Sequence, residues 1–175
     1  MKTCHIFAGG IIADLNYIKI NKNDMIICAD SGYKYVQQLK LIPDIIVGDF
    51  DSYNGNLPEK IKVIRSVPEK DDTDTLLAVK IAIENEVNSI KLYGALGGRI
   101  DHTFANVQTL KYAYEHNCKM IIEDYDNIIM YQSCETKEYL QRKDWYFSVF
   151  SFSEYIYIHE LSGVKYPLTD TIVTN

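Results

Sequence analysis

Asp49 and Asp51 stand one residue apart just past the apolar run Ile45-Ile46-Val47, with Gly48 before them and Ser52 after. Two carboxylates on alternate positions beyond a strand-like run supply the oxygen ligands that a hard cation takes. Three more loops share the setting. Asp30-Ser31-Gly32 follows the apolar residues 25–29. Lys70-Asp71-Asp72-Thr73-Asp74 comes after the strand-like residues 61–65, and the loop 94–102 follows residues 89–93. If the strands are parallel, these loops collect at the carboxyl edge of the sheet, where open α/β sheets bind ligands. Asp30, Asp49, Asp51, Asp71, Asp72, Asp74 and Asp101 then share one crevice. So many carboxylates repel unless positive charge lies among them. A divalent cation is the natural answer, and Mg²⁺ usually arrives with phosphate oxygens.

The loops other than Gly48 to Ser52 also have a plainer reading. Asp30, Asp74 and Asp101 fit helix caps or first-turn acids. Asp71 and Asp72 fit a solvated loop pair. Gly97-Gly98-Arg99 fits a tight turn, or backbone amides and a guanidinium meeting phosphate at a helix N-terminus. His102 fits a first-turn residue with a polar partner, or a catalytic base. Trp145 fits packing better than a ligand platform. The chain has no G-x-x-x-x-G-K-[ST], no G-x-G-x-x-G after the first strand and no G-x-S-x-G. P-loop, dinucleotide-fold and α/β-hydrolase chemistry are therefore unsupported.

The elements that must position these loops alternate along the first two thirds of the chain. Strands are expected at 2–8, 25–29, 45–47, 61–65, 89–93 and 119–122. Tyr35, Val36 and Leu39 at helical spacing predict a helix over 31–39. Thr73 caps a helix over 74–86, whose apolar side holds Leu76, Leu77 and Ile81. Asp101 caps another, with Phe104, Val107, Leu110 and Tyr114 as its apolar side. Past Tyr125 the helical period gives way to β-branched and aromatic segments at 128–131, 146–152, 155–159 and 164–166. The expectation is an α/β protein: a three-layer N-terminal domain with a mainly parallel sheet over 1–125, then a small β-rich domain over 126–175.

Composition narrows the function. The 175 residues are 47% hydrophobic and 24% charged, with net charge −6. That is a globular balance. An acidic chain without a Lys/Arg cluster is a poor nucleic-acid binder. No apolar run reaches the length of a spanning helix, and the first ten residues are too short an apolar stretch for a signal peptide. Cys4, Cys28, Cys118 and Cys134 form no CxxC pair, and the first three sit in or beside apolar runs. They read as buried thiols in a reducing cytoplasm. His5, His102, His116 and His159 are too scattered to suggest zinc. The Tyr, Phe and Ile content of the last fifty or so residues exceeds what so short a segment buries alone, so a homodimer built through it is expected.

Taken in order, the loops carry a resemblance. Ala29-Asp30-Ser31-Gly32, Pro43 to Ser52 (PDIIVGDFDS), Lys70-Asp71-Asp72-Thr73-Asp74, Gly94 to His102 (GALGGRIDH) with Asn106, and Gly163 to Leu168 (GVKYPL) together resemble the thiamine pyrophosphokinase family. The resemblance runs from about residue 5 to 170. It implies a thiamine diphosphokinase that moves a pyrophosphoryl group from ATP to the thiamine hydroxyl, giving thiamine diphosphate and AMP. It also implies an N-terminal α/β domain that binds ATP, and a C-terminal β-sandwich concerned with thiamine binding and dimerisation. On the same basis Asp49, Asp51, Asp71, Asp74 and Asp101 are catalytic, with Asp49, Asp51 and Asp71 on Mg²⁺. Asp30, Ser31, Gly32, Ser52, Lys70, Thr73, Gly97, Gly98, Arg99, His102 and Asn106 belong to the nucleotide or substrate site, where Lys70 and Arg99 offset phosphate charge. The family pattern continues beyond this last motif with a Ser-Asn segment and final strands that help form the thiamine pocket. This sequence stops at Asn175, so either that tail is absent from the sequence or the chain is a truncated member.

Two other functions share some of these features. A metal-dependent phosphatase of the haloacid dehalogenase type also uses D-x-D after a strand. It normally opens the first strand with it, and has no role for Gly97 to His102. A non-catalytic thiamine- or nucleotide-binding module is the other alternative.

Overall fold

In the computed structural model, which describes residues 2–48, 61–65 and 72–175, seven short strands pair into one sheet. They are β1 (Thr3–Phe7), β2 (Met25–Ala29), β3 (Ile45–Gly48), β4 (Lys62–Arg65), β5 (Ser89–Tyr93), β6 (Lys119–Glu123) and β7 (Ile128–Met130). Their order is β4-β3-β2-β1-β5-β6-β7. All neighbours are parallel except β6 and β7. Asp49, Asp51, Ser52, Lys70 and Asp71 lie outside the described residues.

The central strands are apolar on both faces, as a covered parallel sheet requires. On one face Cys4, Ile6, Ile27, Val47, Ile90 and Leu92 join a core with residues from helices α2 (Asp74–Glu84) and α3 (Ile100–Glu115). On the other, Phe7, Cys28, Ile46 and Tyr93 pack with helix α1 (Tyr33–Gln38) and with Ile12, Leu15, Tyr17 and Ile20. This makes three layers. One polar cluster is built into the second face. His5, 1% exposed, has Nδ1 3.1 Å from the Tyr93 hydroxyl and Nε2 3.2 Å from Asp24 Oδ2. Burial pushes its pKa below the usual imidazole value, against the pull of Asp24. All four cysteines are free, and Cys4, Cys28 and Cys118 are buried.

Several expectations are corrected. Arg99, not Asp101, stands at the N-cap of α3, and Asp101 lies in its first turn. The buried side of α3 is Asn106, Thr109, Leu110 and Ala113, while Phe104 is 67% exposed. Asn106 and Thr109 are tolerated inside because each donates to a carbonyl, of Ala95 and Asn106 respectively. Residues 128–130 join the first sheet as its antiparallel edge.

Contacts divide the chain into two compact units, Met1–Cys134 and Glu135–Asn175. The second holds one antiparallel pair, β8 (Tyr155–Leu161) and β9 (Leu168–Thr174). The strands expected at 146–152 and 164–166 are not formed there, and β9 stands where none was expected. Among the described residues no helix is long and apolar enough to cross a membrane.

Candidate active site

The strand order reverses between β1 and β5, so the carboxyl ends of these two strands flank a switch point. The ladder runs past both ends: Ala8 donates to Tyr93 and Gly10 to Gly94, each at 2.9 Å. Gly9 and Gly10 thus lie against the start of the β5–α3 loop. Tyr35 of α1 pins this turn from below. Its hydroxyl donates to the Gly10 carbonyl and accepts from the Ile12 amide at 3.0 Å. Lys34 Nζ lies 3.4 Å from the Gly9 carbonyl and 4.7 Å from the Tyr35 ring centroid, which brings a cation to the loops. Sequence reasoning missed both residues, since their partners are about 25 residues away in the chain and no local motif marks them.

The β2 end comes next. Asp30 adopts φ +51°, a left-handed conformation that Asp tolerates better than most residues, and opens a 3₁₀ turn over Asp30–Gly32. Gly32 is demanded by sterics: a Cβ there would lie 2.0 Å from the Phe7 carbonyl oxygen. Ser31 Oγ sits over Gly9, 2.7 Å from where a Cβ would be.

Asp30 and Asp74 come together at the end of β3. A Cβ on Gly48 would lie 3.2 Å from Asp30 Cα and 3.6 Å from Asp74 Oδ2. Two segments separated by over forty residues therefore bring carboxylate-bearing backbone to one small cradle. Thr73 fixes the approach of Asp74, because its Oγ1 accepts from the Leu76 amide at 3.1 Å and caps α2.

The loop after β5 starts α3 at the same edge. Gly97 and Gly98 take positive φ, +78° and +71°, with open space around them. Arg99 donates to both oxygens of Asp101, Nε to Oδ1 at 3.2 Å and Nη2 to Oδ2 at 2.6 Å, and the His102 amide adds a bond to Oδ1. The guanidinium holds the Asp101 carboxyl below the usual carboxylate range, and the carboxylate in turn raises the pKa of Arg99. Both side chains are well exposed, as is His102. Asn106 ties the loop down by donating to Ala95 at 2.9 Å. Asp30, Ser31, Gly32, Thr73, Asp74, Gly97, Gly98, Arg99, Asp101 and His102 thus all belong to loops or helix starts at the carboxyl edge, and Asn106, in the second turn of α3, ties to the same loop.

Among the described residues no three His, Cys, Asp or Glu side chains group closely enough to hold a metal ion. The Asp74 carboxylate beside the Gly48 cradle, and the Asp30 carboxylate near Gly9, are hard oxygen donors, of the type Mg²⁺ takes.

Comparison with known proteins decides the family. The model of "Thiamin pyrophosphokinase, catalytic domain" matches residues 18–122. The thiamine pyrophosphokinase of Bacillus subtilis is 34% identical over 99% of this chain and 85% of its own length. The chain belongs to the thiamin pyrophosphokinase family. The crystal structure of the Bacillus subtilis thiamine pyrophosphokinase superposes with TM-score 0.76 at 30% identity, covering 98% of this chain and 84% of that one. That of Geobacillus thermodenitrificans gives 0.75 at 27% identity, covering 99% and 83%. In this thiamin pyrophosphokinase family member the matched region runs from the β1–β2 connection to β6, and so takes in Asp30, Asp74, Arg99, Asp101 and Asn106.

Proposed function

We propose that the chain is a Mg²⁺-dependent thiamine diphosphokinase, transferring a pyrophosphoryl group from ATP to the thiamine hydroxyl and releasing AMP. The observation that carries this reading is the meeting of the Asp30 and Asp74 segments at Gly48, at the carboxyl edge of a parallel sheet, in a chain of this family. Attack of an alcohol on the β-phosphorus needs an in-line approach and relief of charge on three phosphates. Bound Mg²⁺ would supply that relief and polarise the phosphoryl oxygens. Asp49, Asp51 and Asp71 are its proposed ligands, with Asp74 and Asp101 the further catalytic acids.

The remaining roles fall to the protein's own groups. Arg99 and Lys70 offset phosphate charge; Gly97 and Gly98 leave room for backbone to approach phosphate oxygens at the start of α3. Asp30, Ser31, Gly32, Ser52, Thr73, His102 and Asn106 complete the nucleotide and substrate site. Asp101 enters this site already ionised and oriented by Arg99. Residues 1–125 are proposed as the ATP-binding catalytic domain. Residues 126–175 are proposed to serve thiamine binding and dimerisation, in a cytoplasmic homodimer.

The test is chromatographic: thiamine, ATP and Mg²⁺ incubated with the full chain should yield AMP and thiamine diphosphate in equal amounts. Inorganic phosphate with a trapped aspartyl-phosphate, or saturable ligand binding with no AMP at high protein concentration, overturns the reading.

A further inference from the structure

Asp72, Thr73 and Asp74 are consecutive, yet their side chains do different things. Thr73 caps α2. Asp74 directs Oδ2 to the Gly48 cradle. Asp72 is held by Lys80 of α2, whose Nζ lies 2.5 Å from Asp72 Oδ2. Side chains on a helix tilt toward its N-terminus, so a long lysine two turns along α2 reaches back to the residue before the cap. Lys80 also lies 5.7 Å from the ring centroid of Tyr112 on α3. That ring is itself fixed by stacking on His116, centroids 4.1 Å apart. Asp72 and Lys80 are each about a third exposed, so the pair is partly shielded from solvent.

We propose that Lys80 is a positioning residue for the phosphoryl-transfer site: by holding and neutralising Asp72 beside Tyr112, it keeps that carboxylate out of the acidic crevice and leaves Asp74 as the acid presented at Gly48. This rests on the functional reading above. At a site where Asp49, Asp51 and Asp71 are the proposed cation ligands, one more unpaired acid changes both cation affinity and the geometry of the bound cation. Lys80 prevents this without touching substrate.

Four variants of the full chain test it: Lys80→Met, which keeps the apolar stem over Tyr112, Asp72→Asn, their double, and Lys80→Arg. Two readouts are needed, kcat for AMP release and Mn²⁺ affinity from the paramagnetic resonance of the free ion. Lys80→Met should lower kcat about tenfold and tighten Mn²⁺ binding about threefold, because a neighbouring like charge is exposed. Asp72→Asn alone should stay within about twofold of wild type in both, and the double should return to that level, since the harm acts through Asp72. Lys80→Arg should behave as wild type. A double variant as impaired as Lys80→Met, or a Lys80→Met with unchanged Mn²⁺ affinity, overturns the proposal. Absence of AMP release from the wild type would sink the kinase reading instead, and the Mn²⁺ measurements would still decide the role of Lys80.

Discussion

The two compact units handle their apolar residues in opposite ways. In Met1–Cys134, strands β1, β2, β3 and β5 hold runs of side chains at or near zero exposure, sealed on both faces. In Glu135–Asn175 the only buried residue is Ser151, while Leu140, Tyr146 and Phe150 are 94%, 97% and 83% exposed. The first unit owns a core. The second is a single strand pair with irregular segments, and a lone hairpin is marginal in water. Its aromatic surface is what the proposed dimer would cover.

Four perturbations sharpen or break this contrast. The largest effect is expected from Gly32→Ala. Its Cβ would meet the backbone of Phe7 at 2.0 Å, and backbone cannot step aside, so the loss should reach about 4 kcal/mol or more. Circular dichroism should show little cooperative melting, and an unchanged transition would contradict the packing described. Leu92→Ala, at a fully buried position of β5, should cost about 3 kcal/mol by denaturant titration. A loss under about 1 kcal/mol would mean that the first unit is less tightly packed than its burial implies.

In the second unit, Tyr146→Ser with Phe150→Ser should change the stability of the isolated subunit by no more than about 0.5 kcal/mol, as for other exposed sites. It should nonetheless turn a dimer into a monomer in sedimentation. A wild type that sediments as a monomer at micromolar concentration refutes the dimer outright. The smallest effect is a pH slope. His5 has a folded pKa below its ordinary 6.5, so its stabilising contribution is complete above that pH and declines as pH falls from 6.5 through the folded value. The urea midpoint should drop from pH 7.5 to pH 5, and less steeply in His5→Gln. Identical slopes would remove His5 as the cause.

Much of the first unit was legible because buried parallel strands read as unbroken apolar runs, as in Met25–Ala29 and Ile45–Gly48. Thr73 was legible because a cap is a local device. The inner face of α3 was not. Phe104 looked like core, and Asn106 earned burial only through a bond to Ala95 eleven residues back. Tyr35 was invisible for the same reason, since its role exists only once a segment 25 residues away arrives, while the Lys80–Asp72 pair is local but carries no motif. In the second unit, residues 146–152 have strand-forming side chains but no partner strand, while Leu168–Thr174, rich in β-branched Thr, Ile and Val, forms one because β8 pairs with it. Among the site residues, Asp30, Asp74 and Asp101 could be followed from motif to geometry. Asp49, Asp51, Ser52, Lys70 and Asp71 lie outside the described residues, so their roles rest on motif and family.

The most direct test sets the two edges of the sheet against each other. Asp74 stands at the carboxyl edge beside Gly48, whereas Asp44 stands at the opposite edge, accepting from the Ile26 amide at 2.8 Å. AMP release and melting temperature should be measured for Asp74→Asn and Asp44→Ala. Asp74→Asn should lose about a hundredfold in turnover, roughly 3 kcal/mol of transition-state stabilisation, with melting unchanged. Asp44→Ala should keep its turnover within about twofold and lose about 1 kcal/mol of stability with its hydrogen bond. Full turnover in Asp74→Asn, or turnover lost in Asp44→Ala without loss of stability, would contradict a reaction centred on the carboxyl edge.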